Sequence, residues 1–161
     1  MPTWNEVTQA APELAEAVQT RFEATGLGLL ATLRKDGFPR ITGIEPSFAL
    51  GEVWMGMMDN SLKALDLQRD PRLALHAATV DKDVKEGDAR ITGRGVELPE
   101  GDERRQAFLD YLRAKGDWAP EGPFHLFRID VTELVMLRPG GDVLVVESWT
   151  EDKGLRRVER R

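Results

Sequence analysis

The apolar positions of this chain follow two different periods. Between residues 3 and 24 they recur every three to four positions, and Leu14, Val18 and Phe22, each four apart, predict one buried helical stripe. Ala11-Pro12-Glu13 has the form of a helix start. Proline is favoured at the first helical position because its missing N–H would go unpaired there anyway. Gly26 marks the end. Beyond it the period shortens to two. "LGLLATLRKDGFPRITGI" predicts two strands around Asp36-Gly37, a strong hairpin signal. In the first, Leu27, Leu29, Ala31 and Leu33 share one face and Leu30 and Thr32 the other, so cover is expected on both sides. "ALGE" predicts a turn and "VWMGMM" (53–58) a third strand. "RLALHAATV", "ARITGRGVEL", "FHLFRIDVTELVML" and "DVLVVESWT" continue the series, the last two joined at "RPGG".

Two helices interrupt the strands. One covers 61–69 and stops at Asp70-Pro71, since a residue before proline is pushed out of helical backbone. The other is "GDERRQAFLDYLRAKG", with Phe108, Leu109 and Leu112 inward and Gly116 at its end. Strands joined by hairpins pair antiparallel, and many antiparallel strands in one domain curl so as to manage their edges. The expected fold is mainly β with α: a six- or seven-stranded antiparallel split β-barrel with flanking helices. It forms one domain over 1–161, opened by a helical segment at 1–25 and closed by a basic tail at 151–161. A doubly wound parallel sheet would need helices between most strands, and the glycine-rich dinucleotide loop is missing.

Composition narrows the chemistry. The chain has no cysteine and two histidines, His76 and His125. That removes disulfides, thiolate metal sites and a cysteine nucleophile. The net charge of −6 argues against nucleic acid, whose phosphates require cations. The tail "KGLRRVERR" is read as a solvated terminus. No apolar run approaches the roughly 18 residues of a membrane span, and the N-terminus does not have the form of a signal peptide. The expected location is cytoplasmic.

One lysine asks for an explanation. Lys63 lies in the first turn of the 61–69 helix, where the dipole is positive and a cation is disfavoured by about 0.3–1 kcal/mol. A bound phosphate reverses that sign. Ser61 would offer a hydroxyl, the helix its free N–H groups and Lys63 a point charge. The plain alternatives are that Lys63 extends into water or pairs with Asp66, three residues on.

The stretch "ATLRKDGFPRITGI … VWMGMMDNSLKALDLQRDPRLAL" resembles the flavin-binding split-barrel family related to pyridoxamine 5′-phosphate oxidase. The shared order is a "DGxP" hairpin, a strand, a tight turn, "S-x-K" opening a helix, an "(N/D)P" stop and another apolar strand. The resemblance covers residues 25–100 well and the last strands loosely. It implies FMN or the deazaflavin coenzyme F-420 as cofactor, and hydride or electron transfer with a small-molecule substrate. It implies that Thr42, Gly43, Ile44 and Glu45 run along the cofactor ring, with Gly56 and Met57 from the next strand, and that Ser61 and Lys63 hold its phosphate. It also implies a homodimer with cofactor at the interface, where Trp149 and Arg156 or Arg157 of the second subunit would complete the site. The chain departs from the oxidase where Thr42 and Leu62 replace phosphate-gripping arginines, and its "LRRVERR" end lacks the oxidase's substrate-phosphate motif.

Two alternatives remain at this level: a non-catalytic cofactor-binding or stress-related barrel, and a haem-binding split barrel with His76 or His125 as axial ligand. Flavin chemistry asks little of the side chains, which suits a chain with no recognisable triad or carboxylate dyad. Met55, Met57 and Met58 are expected to pack, as are Trp4 and Trp54. Trp118 is expected in a loop, and Asp81, Asp83, Glu86 and Asp88 form an acidic turn without calcium-loop spacing.

Overall fold

The computed structural model describes all 161 residues. Two helices open it, α1 (Trp4–Ala10) and α2 (Pro12–Thr25). The break at Ala11 divides the expected single segment. Thr3 and Glu6 close a reciprocal capping box at the start of α1, and Pro12 takes the first position of α2. Leu14, Val18 and Phe22 are buried as one stripe, and Gly26 ends α2 in left-handed conformation, its N–H on Phe22 O.

Nine strands follow: β1 (Gly28–Leu33), β2 (Pro39–Ile44), β3 (Ser47–Ala49), β4 (Glu52–Met58), β5 (Arg72–Ala77), β6 (Asp88–Glu97), β7 (Phe124–Gly140), β8 (Val143–Thr150) and β9 (Gly154–Arg160). Helix α3 (Leu62–Arg69) joins β4 to β5, and α4 (Glu103–Lys115) joins β6 to β7. All pairings are antiparallel, in the order β2-β1-β5-β6-β7-β4-β3, with β8 on β7 and β9 on β8. The path does not close, which is the split of a split barrel. Two strands exceed the expected count. β3 is only three residues long, too short for a period to register. β9 lies in the basic tail, where "LRRVER" stays exposed yet pairs along β8, so the tail is an edge strand and not a loose terminus.

The core lies between the inner face of the sheet and α1–α2. It gathers Trp4, Val7, Phe22, Leu30, Met55, Ile91, Phe127 and Leu134. A smaller cluster forms under α4, where Trp54 stacks on Phe108 at 4.7 Å over Leu98 and Leu126. At the Thr92/Gly93 bulge β6 presses so close to β7 that a Cβ on Gly93 would stand 2.2 Å from Asp130 O. β1 departs from the expectation of cover on both sides. Gly28, Leu30 and Thr32 face the core, while Leu27 and Leu29 lie on the open face about half exposed. The contiguous rows Ile41–Ala31–Ala74 and Gly43–Leu29–His76 cross β2, β1 and β5 on that face.

Candidate functional site

The split sets the site. β2 pairs only with β1. β3 pairs with Glu52, Val53 and Trp54, so the last four residues of β4 pair only with β7. One edge of β2 and one edge of Met55–Met58 are therefore left without a neighbouring strand. Helix α3 starts just after β4, and Lys63 reaches from it to β2: Lys63 Nζ donates to Gly43 O at 2.9 Å. The lysine is neither afloat in water nor paired with Asp66. Burial lowers the Lys63 ammonium below the usual lysine range, because one carbonyl replaces only part of the hydration it has lost.

Near Lys63 and Gly43 in the chain lie polar atoms without partners. Ser61 has the extended backbone of an N-cap, yet its side chain caps nothing. Its Oγ is buried and makes no hydrogen bond, and the same holds for Thr42 Oγ1 on β2. A buried hydroxyl left unpaired costs about 1–3 kcal/mol. The first turn of α3 carries no acidic residue, so its free N–H groups meet no protein anion. Two unsatisfied hydroxyls, a desolvated ammonium and an uncapped helix start are the kinds of donor that phosphate oxygens accept from.

Asp66, which sequence reasoning offered as a partner for Lys63, faces the other way. It is 3% exposed. It accepts from Thr32 Oγ1 at 2.8 Å, Arg40 Nε at 2.7 Å and Arg69 at 3.1 Å. Burial alone would raise its pKa, but the hydrogen bonds from Arg40, Thr32 and Arg69 outweigh it and hold the carboxyl below its ordinary value. This network pins α3 to β1 and β2. No local pattern marked it, since Asp66 lies 34 residues from Thr32 and 26 from Arg40.

The other expected positions divide. Gly43 and Gly56 are exposed, and a Cβ built on either meets nothing within 4 Å, so each leaves open floor at the split. α4 covers Trp54 and Leu126 but leaves Gly56 and Met58 bare. Ile44 and Met57 point inward and belong to the core, so only their backbone is offered to a ligand. Glu45 is exposed just past the end of β2. The expectation for Trp149 is corrected. It pairs with Leu134 and is buried in its own barrel at 5% exposure, so its ring is not free to enter a second subunit. Arg156 and Arg157 are exposed on β9, which pairs only with β8, so they do not join the α3 site within one chain.

Both histidines are half-buried. His76 Nδ1 lies 2.7 Å from Ala77 O, and its Nε2 makes no hydrogen bond. His125 makes two contacts that no local pattern marks. Asn60 N–H donates to its Nε2 at 3.2 Å, and its Nδ1 lies 2.6 Å from Glu97 Oε1. A backbone N–H can only donate, so Nε2 is the bare nitrogen and Nδ1 carries the proton toward Glu97.

Comparison with known proteins bears on the fold and the family. Residues 14–138 match the family model described as pyridoxamine 5′-phosphate oxidase. No match to a curated protein sequence was found. Among solved structures, the chain is similar to PhzG of Burkholderia lata in complex with tetrahydrophenazine-1-carboxylic acid. That pair has 18% identity and a TM-score of 0.65 over 99% of this chain and 94% of that one. A pyridoxamine 5′-phosphate oxidase-related, FMN-binding protein of Nostoc punctiforme matches at 13% identity and a TM-score of 0.65, over 94% and 96%. A heme binding protein of Mycobacterium smegmatis matches at 26% identity and a TM-score of 0.58, over 84% of this chain and 58% of that one. No helix of the chain is long and apolar enough to cross a membrane. With the family model spanning most of the chain and a split barrel beneath it, this protein belongs to the pyridoxamine 5′-phosphate oxidase family.

Proposed function

We propose that the chain is a cytoplasmic, homodimeric oxidoreductase that binds FMN, or alternatively coenzyme F-420, and exchanges hydride with a small organic substrate. The observation that carries this is the pair of buried, unpartnered hydroxyls of Ser61 and Thr42 beside the desolvated Lys63. That donor set fits the phosphate of either cofactor, and Gly43 and Gly56 leave room for a flat ring where side chains would obstruct one. The FMN-binding relative from Nostoc punctiforme supports the same cofactor class.

When bound, the flavin or deazaflavin supplies the hydride or electron pair. The chain binds and orients. Lys63 and Ser61 hold the phosphate, Thr42 adds a donor from β2, and the Asp66 network keeps α3 at a fixed height above the sheet. A second copy is supported by the apolar rows around Leu29 and Ile41, whose exposure water does not favour. Gly43 ends one of those rows and also supplies the Lys63 acceptor, so the proposed interface and cofactor site meet at one residue.

Titration of the purified protein with FMN, then with F-420, followed by absorbance and fluorescence, tests the proposal. Saturable binding of one, weakened in Lys63→Ala, is expected. Binding of neither overturns it and favours the non-catalytic barrel. A haem reading has one observation behind it besides the Mycobacterium smegmatis relative: His76 offers a free Nε2 in an apolar row, its Nδ1 held by a backbone carbonyl. Haem titration of His76→Ala decides it, through loss or retention of the bound-haem spectrum.

A further inference from the structure

Met58–Ser61 forms a tight turn, with Ser61 N–H on Met58 O at 3.1 Å and Asn60 left-handed at φ 57°. A left-handed third residue is what a type II turn requires, and asparagine tolerates it. The central peptide of such a turn, here Asp59 C=O to Asn60 N–H, is the one whose rotation interconverts turn types. That is the peptide His125 holds, from β7 and 65 residues away. Glu97 on β6 accepts from His125 through one oxygen and from Gln68 Nε2 of α3 through the other, at 2.8 Å. One carboxylate thus steadies the turn before α3 and the last turn of α3 together.

Resting on the cofactor reading above, we propose that His125 is a positioning residue for the phosphate cradle: its bare Nε2 latches the Asn60 peptide, and protonation of the ring releases it. A doubly protonated imidazole has no acceptor for Asn60 N–H. Its new N–H would face that donor and favour either a flipped peptide, presenting Asp59 C=O, or Asp59 Oδ1, now 3.7 Å away. Either change moves the backbone that presents Ser61 and the start of α3. The charged groups reaching the ring are Glu97 from β6 and Asp59 from the turn. Phe127 stacks beside it on β7 at 6.4 Å, and Met57 is its cross-strand neighbour on β4. Imidazole gains its second proton as pH falls, and Nε2 then has no lone pair left to accept, so the latch opens on the acid side.

Two measurements test this. In the ligand-free protein, the Asn60 amide resonance is expected to follow the protonation of the His125 ring as the solution is acidified. A resonance that ignores the ring overturns the latch, whatever the protein binds. FMN affinity is then compared at about pH 8 and pH 5 in wild type, His125→Leu and His125→Gln. FMN's own phosphate gains a proton near pH 6, so the comparison between proteins carries the result. Wild type is expected to lose about tenfold more affinity on acidification than His125→Gln, the scale of one charge-assisted hydrogen bond. Glutamine places a non-titrating acceptor near the Nε2 position and is expected to recover most of the affinity lost in His125→Leu. A glutamine variant with the wild-type pH profile overturns the proposal. An Asn60 resonance that tracks the ring in a protein binding neither FMN nor F-420 upholds the latch and overturns the cofactor reading instead.

Discussion

Lys63 and Gly43 join the two sides of the split: the ammonium of α3 donates at 2.9 Å to a carbonyl of β2. One acceptor leaves most of its hydrogen-bonding capacity to a ligand. Lys63→Ala is expected to weaken FMN binding by about 1.5–3 kcal/mol, the range for a hydrogen bond to a charged group. Because Lys63 is partly exposed, its removal is expected to change the stability of the free protein by less than about 0.5 kcal/mol. Its pH dependence has a definite sign. The folded state holds the Lys63 proton less tightly than the unfolded chain, so the ligand-free protein gains stability as pH rises from the lowered folded value toward the ordinary lysine value of about 10.4. The alanine variant lacks that gain, which denaturant titrations at several alkaline pH values would show.

Gly43 and Gly56 permit a variant that separates site from fold. A Cβ at either position meets no atom within 4 Å, and neither has a positive φ. Gly43→Val and Gly56→Val are therefore expected to fold with an unchanged or slightly raised Tm, valine being the better strand residue. FMN affinity is expected to fall at least about tenfold, as branched side chains would stand where the proposed site holds the flat ring. Unaltered affinity in both variants would move the cofactor elsewhere. Gly93→Ala supplies the contrast: its methyl would meet the Asp130 carbonyl oxygen, so this variant is expected to lose stability first.

Much of this arrangement was legible in local pattern. Asp36-Gly37 marked its hairpin, and Asp70-Pro71 stopped α3 where expected, at Arg69. Lys63 stood out because the dipole disfavours it. What escaped has a common cause: partners distant in sequence. The Asn60–His125 contact spans 65 residues and Lys63–Gly43 spans 20, and both depend on strand order around the barrel. Trp149 was misplaced because resemblance named a residue type near the C-terminus, whereas the β7–β8 register decides which face it takes. The outward turn of Leu29 was hidden because alternation separates two faces without saying which is inside.

Asp66 gives a stability prediction. Its buried carboxylate binds Arg40 and Arg69. Breaking a buried ion pair from one side costs about 3–5 kcal/mol, so Asp66→Ala is expected to destabilise the fold on that scale, measured by urea unfolding at neutral pH. The folded state lowers the carboxyl below its unfolded value. Its contribution is therefore fully present above the unfolded value of about 3.9 and disappears as pH falls through the lower folded value. The variant should lose that part of the acid limb and lie closest to wild type at the most acidic pH.

Ile41 tests the second copy. It is 69% exposed on an edge strand, and in register with Ala31 and Ala74 it forms part of an apolar surface continuous with Leu29. A lone exposed isoleucine needs no explanation, but ordered rows across three strands are what a partner would cover. Ile41→Glu places a charge on the β2 side of that face, and an interface tolerates an unpaired charge badly. Because the side chain is already in water within one chain, the fold should be affected by less than about 0.5 kcal/mol. Sedimentation of wild type is expected to show a dimer and that of Ile41→Glu a shift to monomer. Val80→Glu, at a still more exposed position outside the three-strand rows, should remain dimeric. If the site is completed at the interface, FMN affinity should fall with dissociation and become dependent on protein concentration in the variant. A monomeric Ile41→Glu that binds FMN as wild type does would confine the cofactor to one chain and leave Lys63, Ser61 and Thr42 as its whole grip.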